Sequence, residues 1–262
     1  MSTKIEWCDE VWNVVTGCTK VSAGCKNCYA ERMAKRLGGR FGYPPAPDQF
    51  KVTPHPELLD KPLRWKRPRR VFVNSMSDLF HEDVLENFIV QIFITMSMSR
   101  RHTYLILTKR PERMLQFVVR WVDAHKSPLP NVWLGVSVEN QQVAQDRIPW
   151  LLATPAAVHF LSVEPMLERI DLSSVLLFDG DTLGKSLFDR GNGNQIDWVI
   201  AGCESGQKAR PSPPYIDVRY LKDQCVEANV PFFLKQMWGK KMPELDGRQW
   251  TEYPTSPMKT EE

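Results

Sequence analysis

Three cysteines fall within eleven residues, in the segment Cys18-Thr-Lys-Val-Ser-Ala-Gly-Cys25-Lys-Asn-Cys28-Tyr29. Three thiolates on one loop hold three irons of a cubane [4Fe–4S] cluster and leave the fourth iron open to a small molecule. Gly17 and Gly24 allow the backbone to fold tightly around a metal, and Lys20 and Lys26 favour the thiolate form. Two other readings stay open. A zinc site would need a fourth ligand brought through the fold, from Cys8, Cys203 or one of the five His. Unligated core cysteines are the bland alternative, for which a loop with two glycines and two lysines is a poor segment. Cys8, Cys203 and Cys225 stand apart from the cluster.

A second set of reactive types follows a series of apolar runs. Asn74, Ser75 and Asp78 follow one run, and Thr108, Lys109 and Arg110 the next. Ser137, Glu139 and Asn140 come after a third, Ser162 and Glu164 after a fourth. Glu204 and Ser205, then Lys235 and Gln236, complete the series. Carboxylates and amides recurring at one topological level point to a shared pocket, because parallel α/β barrels gather reactive groups at the C-terminal ends of their strands. Loops are polar for blander reasons as well, so the weight lies on the repetition and not on any one residue.

The elements that must position these residues are legible by period. Runs rich in β-branched and aromatic residues predict strands at Trp12–Thr16, Arg70–Asn74, Thr103–Thr108, Val132–Val138, Val158–Val163, Trp198–Gly202 and Pro231–Lys235. Between them, Val84, Leu85, Phe88, Ile89, Ile92, Phe93 and Met96 form a stripe at helical spacing. So do Met114, Phe117, Val118 and Trp121, and then Val218, Leu221, Cys225 and Ala228. A further helix is expected over Ala30–Leu37. Strands alternating with helices predict an α/β fold, a parallel barrel of six to seven strands that is partly closed. The Pro- and Gly-rich stretch 40–56 and the Gly-containing stretch 179–195 read as loop excursions from a single domain covering 1–262.

Bulk properties set wider limits. Hydrophobic residues make up 42% and charged residues 25% of the chain, as expected of a globular protein. No basic stretch followed by an apolar run opens the sequence, and Phe88–Met96 is too short to span a bilayer, so a cytoplasmic protein without membrane contact is expected. Six cysteines in a reducing compartment argue for metal or redox work over disulfides. The net charge of +3 tolerates an anionic partner without demanding one. One local concentration stands out: Lys61-Pro-Leu-Arg64-Trp65-Lys66-Arg67-Pro-Arg69-Arg70 carries six cations and one aromatic. Such a run suits a nucleic-acid backbone with a stacking contact, and equally a solvated approach to the second strand.

The segments Ile5-Glu-Trp-Cys-Asp-Glu-Val-Trp12-Asn13, Gly17-Cys18, Gly24-Cys25 and Cys28-Tyr29-Ala30 resemble the phage-associated three-cysteine-motif family, whose members are radical-SAM-like. Ser77-Asp78-Leu79-Phe80, Leu107-Thr108-Lys109-Arg110, Gly135-Val136-Ser137-Val138-Glu139-Asn140, Ser162-Val163-Glu164-Pro165 and Gly202-Cys203-Glu204-Ser205-Gly206 resemble it too. The likeness extends from about residue 4 to 240. Six residues separate Cys18 from Cys25, more than in the usual radical SAM loop, whereas the two between Cys25 and Cys28 agree with it.

The resemblance implies a [4Fe–4S] cluster on Cys18, Cys25 and Cys28 with S-adenosylmethionine (SAM) at the open iron. The reduced cluster would then cleave SAM to a 5′-deoxyadenosyl radical that takes hydrogen from a substrate. It places SAM near Asn74, Ser75, Asp78, Glu139, Asn140, Glu164 and Glu204, with Tyr29 against the adenine. An electron donor such as flavodoxin or ferredoxin is implied as a partner. A nucleic acid or nucleotide base is the expected substrate, met by Lys109, Arg110, Arg67 and Arg69. The rival expectations are an iron–sulfur binding or electron-transfer module without catalysis, and a zinc-dependent nucleic-acid enzyme.

Overall fold

The structure is a computed structural model and describes residues 3, 5–177, 195–204, 209–237 and 239–255. The predicted excursion at 179–195 therefore lies, but for its last residue, outside the described residues. Eight strands form the main sheet: β1 (Glu10–Trp12), β2 (Arg70–Val73), β3 (Thr103–Thr108), β4 (Val132–Ser137), β5 (Val158–Val163), β6 (Trp198–Gly202), β7 (Phe232–Met237) and β8 (Lys240–Lys241). Neighbours in sequence are neighbours in the sheet; β1 to β7 run parallel and β8 is antiparallel to β7. The helices are α1 (Tyr29–Leu37), α2 (Glu86–Met98), α3 (Pro111–His125), α4 (Gln141–Ala153) and α5 (Tyr215–Glu227).

Sequential strand order has a physical consequence. Right-handed crossovers between adjacent parallel strands lay their helices on one face, so the other face must be covered by curling the sheet on itself. The sheet is a curled half-barrel. Side chains alternate accordingly. Val71, Ile106, Leu134, Leu161 and Val199 pack outward with the helices in one core. Phe72, Leu105, Trp133, Phe160, Trp198 and Phe233 point inward into a second.

The inward rows also change character along the strands. Phe72 is followed two residues later by Asn74, Phe160 by Ser162 and Glu164, and Phe233 by Lys235. An aromatic floor thus gives way to a polar mouth at the C-terminal ends. Trp7 seals the floor, 4.7 Å from the Phe72 ring and 6.3 Å from Trp198. Tyr253 closes it from the other side, 5.2 Å from Trp198 and 5.5 Å from Phe233. Trp7→Ala is expected to cost roughly 3–5 kcal/mol, since a 2%-exposed indole leaves a cavity among rigid rings. A urea midpoint within experimental error of wild type would refute the plug.

Several boundaries differ from expectation for identifiable reasons. The first strand runs over Glu10–Trp12 and not Trp12–Thr16, because the Val15 N–H donates to Asn74 Oδ1 at 3.0 Å instead of a neighbouring strand. Val15–Thr16 pairs antiparallel with Thr53–Pro54, so part of the 40–56 excursion is built into the fold. Tyr43 in that stretch is buried with Ala30, Ala34 and Met76. Helix α4 has no counterpart among the predicted stripes. It carries Pro149 in its interior, and its outer Gln141 and Gln145 are hydrogen-bonded to the 171–176 segment.

Candidate functional site

The cysteine loop leaves the sheet after Thr16 through Gly17, whose φ of +84° is strained for any other residue. A Cβ there would lie 2.1 Å from the Lys51 carbonyl oxygen. A short turn at Ala23–Cys25 leads to α1, which starts immediately after Cys28.

Two carboxylates from other strands clamp this loop. Glu139, fully buried beyond β4, accepts from the Gly24 N–H at 3.3 Å and from Arg147 Nη1 at 3.0 Å. A Cβ on Gly24 would come within 3.0 Å of the Glu139 carboxyl group, so close approach requires glycine there. Glu204, beyond β6, accepts from Asn27 Nδ2 at 2.9 Å and from the Arg210 N–H at 2.7 Å. Arg210 in turn donates to the Ala23 carbonyl at 3.0 Å.

Beneath the loop lies a cavity of about 850 Å3. Cys18, Cys25 and Cys28 all line it, together with Tyr29, Asn74, Ser75, Asp78, Lys109, Arg110, Glu164 and Glu204. Cys203 stands in the same wall. A shared pocket thus lies at the strand ends, with Ser205 outside the described residues and two of the expected residues elsewhere. Glu139 is buried behind Gly24, and Asn140 caps α4, its Oδ1 accepting from the Val143 N–H at 2.9 Å.

Lining the cavity is not the same as being available to a ligand. Asp78 accepts from Phe80 N at 3.0 Å, Thr108 Oγ1 at 2.7 Å, Lys109 N at 2.9 Å and Arg110 Nη1 at 3.3 Å, so both its oxygens tie β2 to β3. Ser75 donates to Asn13 Oδ1 at 3.1 Å and accepts, through its carbonyl, from the Tyr29 hydroxyl. Among the described residues Glu164 receives one hydrogen bond, from Lys235 Nζ at 2.6 Å. Asn74 is different again. It is 2% exposed and held at φ +59°; its Oδ1 is used by Val15, and among the described residues its Nδ2 has no partner. A buried amide donor without an acceptor is costly unless something binds there.

The electrostatics follow from these contacts. Burial and the Asp78 carboxylate push the Cys18 thiol up to about 11, against the pull of Arg110, whose Nη1 is 3.6 Å from its sulfur. Cys25 is lowered: burial opposes ionisation, but the Val21 and Ser22 backbone and the Lys109 charge outweigh it. Burial likewise acts against ionised Glu139, and Lys109 and Arg147 overcome it to hold the carboxyl below its usual range. For Glu204, burial is outweighed by its Arg210 hydrogen bonds, which bring it down to about 2. A depressed carboxylate stabilises the fold above its ordinary value of 4.5, and this clamp weakens only as pH falls through that range towards 2.

The donor set fits a cubane cluster. Three unpaired thiols sit on one loop facing one cavity, and an orphaned amide donor stands in its wall. Among the described residues no three His, Cys, Asp or Glu groups converge on one metal ion. A cubane asks for no such convergence, since each thiolate meets a different iron.

Sequence reasoning missed Arg147, Arg210 and His81. Arg147 lies on the unrecognised α4, and Arg210 falls outside every predicted strand and stripe. His81 is fully buried, its Nε2 2.8 Å from Thr19 Oγ1, and its Nδ1 accepts from the Asp83 N–H at 3.1 Å. Burial and the Arg110 charge hold its ring below the ordinary imidazole value.

The basic run lies at the opposite end of the sheet. Arg70 opens β2, roughly 13 Å of strand before Asn74. Arg69 pairs with Glu10 at 2.8 Å and Arg64 with Asp60 at 2.5 Å, while Arg67 is exposed. Trp65 carries Lys61 at 5.5 Å and Arg69 at 5.2 Å over its ring. Arg67 and Arg69 are therefore not brought together with Lys109 and Arg110.

Fold and site together define an α/β protein with a half-barrel of parallel strands and a three-cysteine loop at its polar mouth. The chain belongs to the DUF5131 family, described as a protein of unknown function, whose profile matches residues 2–254. No curated protein and no solved structure matches it. Among the described residues, no helix is long and apolar enough to cross a membrane.

Proposed function

We propose that this chain is a radical SAM enzyme of the three-cysteine-motif kind, with a [4Fe–4S] cluster on Cys18, Cys25 and Cys28. One observation carries the reading: the three cysteines line a cavity at the C-terminal mouth of a curled parallel sheet, with Asn74, Ser75 and Glu164 in the same wall. When bound, the cluster supplies the electron that cleaves the SAM sulfonium and so starts hydrogen abstraction from a substrate.

The chain's own residues divide into two groups. Asn74 donates to a carboxylate or ribose oxygen of SAM, and Glu164 accepts from its ammonium or a hydroxyl. Tyr29 lends a ring face beside the last cysteine. Asp78, Glu139 and Glu204 hold the loops in place instead, and Asn140 holds α4. The aromatic floor under Trp7 keeps water out from below. Exposed Lys20 and Lys26 on the cysteine loop suit an acidic electron donor such as flavodoxin or ferredoxin. Six free cysteines fit a reducing, cytoplasmic setting.

The anaerobically reconstituted, dithionite-reduced protein is expected to convert SAM to 5′-deoxyadenosine and methionine. Asn74→Ala should weaken SAM binding about tenfold with iron content unchanged. If SAM neither alters the EPR signal of the reduced protein nor is consumed, the reading is wrong and a non-catalytic module takes its place.

A further inference from the structure

The basic run that leads into β2 does not stand alone. Arg70 is in register with Thr103, and the Thr103 N–H donates to the Arg69 carbonyl at 2.9 Å. The turn before β3, which carries Arg100 and Arg101, therefore lies beside the turn before β2. Adjacent strands stand roughly 5 Å apart, so cations of the two turns gather at one end of the sheet. The turns are also fastened to each other. Fully buried His102 has its Nε2 3.1 Å from the Pro62 carbonyl oxygen, and its ring meets Trp65 edge-on at 5.6 Å. Pro62 and Pro68 stiffen the first turn.

Part of this charge is compensated within the fold. Arg64 pairs with Asp60, Arg69 with Glu10 and Arg70 with Asp9. Glu57, the other carboxylate of the segment, turns to His55 at 3.4 Å. Lys66, Arg67, Arg100 and Arg101 are all exposed, and among the described residues none of them forms an ion pair. Arg100 donates through Nε to the Ser97 carbonyl at 3.3 Å, which leaves its charge uncompensated. Four like charges on stiff turns repel one another until an anion neutralises them.

We propose that this end of the sheet docks a nucleic-acid duplex by its phosphates. The inference goes beyond the radical SAM reading and does not depend on it. Arg67, Arg100 and Arg101 offer planar forks that match phosphate oxygens, and Lys66 adds a point charge. A single strand would ask for an aromatic ring on which to stack its bases. Trp65 cannot serve, because Lys61 and Arg69 lie over its ring and it packs against the core. Cations on fixed turns suit the fixed phosphate rows of a duplex better than a fluid lipid surface. Contacts to phosphates alone carry no sequence information, so docking is indifferent to sequence. It leaves the cavity mouth, at the other ends of the strands, free.

The test measures fluorescence anisotropy of labelled DNA and RNA duplexes, and of single strands of equal length, across a salt series with the full chain. Binding of either duplex supports the proposal, with a log–log salt slope of roughly −3.5 for four phosphates. Arg67→Gln/Arg101→Gln should flatten that slope by roughly two units, and Arg100→Gln alone by about one. Arg40→Gln/Lys51→Gln removes the same charge at two exposed positions of the 40–56 stretch and should leave the slope as it is. No duplex binding at low salt overturns the proposal. So does an equal loss in the control variant, or tighter binding of single strands than of duplex. Phosphatidylserine vesicles are the last arm, because Leu63 within the run is 37% exposed. Vesicle binding that a duplex does not displace would make this a membrane surface and end the proposal. Iron content is read on the same preparations: normal iron without duplex binding sinks this inference alone, and duplex binding without iron sinks only the enzyme reading.

Discussion

Alanine in place of Cys18, Cys25 or Cys28 is expected to bring iron from about four per chain to background, and with it the charge-transfer absorbance. Each change removes one of three thiolates and nothing on the loop replaces it, so the effect should be all or none. Two controls give the result its meaning. Cys225 is fully buried in α5, and Cys225→Ala should keep the iron. Cys203 is the sharper control because it stands in the cavity wall with the other three. If Cys203→Ala also loses iron, a fourth thiolate fills the coordination and no iron is open to SAM. Stoichiometric zinc in wild type would equally end the assignment.

Glu139→Ala is expected to cost roughly 3–5 kcal/mol of stability. Arg147 is only 7% exposed and would keep a charge with no carboxylate, and the Gly24 N–H would lose its acceptor. Glu139→Gln keeps the shape and the Gly24 contact and should cost less. Adding Arg147→Met to Glu139→Gln should recover stability, because the unpaired charge is removed. Urea unfolding with unchanged m-values is the measurement. A double variant less stable than Glu139→Gln alone would show that Arg147 matters chiefly through its bond to the Ser137 carbonyl, at 2.7 Å.

The strands were legible because both faces of the sheet are buried. A run such as Trp198–Gly202 buries Val199 and Ala201 on the helix side and Trp198 and Ile200 on the inner side, so it reads as continuous hydrophobic sequence. The polar strand ends were legible for the same reason: a sudden Asn, Ser or Glu after such a run has to face the mouth. What could not be read was which carboxylates are already spent. Asp78 is saturated by Thr108, Lys109 and Arg110, and Glu204 by Arg210 and Asn27, across sequence gaps that no local pattern encodes. Glu164 and Asn74 look no different in sequence, yet among the described residues they keep hydrogen-bonding capacity. Helix α4 hid for a local reason, since a proline and a polar flank mask its period.

The aromatic floor also bears on how the chain assembles. Each parallel strand pairs with its neighbour in sequence, so the sheet can grow in the order in which it is synthesised. The floor obeys a different schedule. Lys241 reaches Glu6 across 235 positions, and the Tyr253 hydroxyl reaches the Glu6 carbonyl across 247. Loop closure over such spans comes late. Trp7 is therefore made long before Lys241 and Tyr253, which complete the floor around it. Until then the half-barrel carries an open aromatic underside, the surface on which a folding chaperone or a second nascent chain would find purchase.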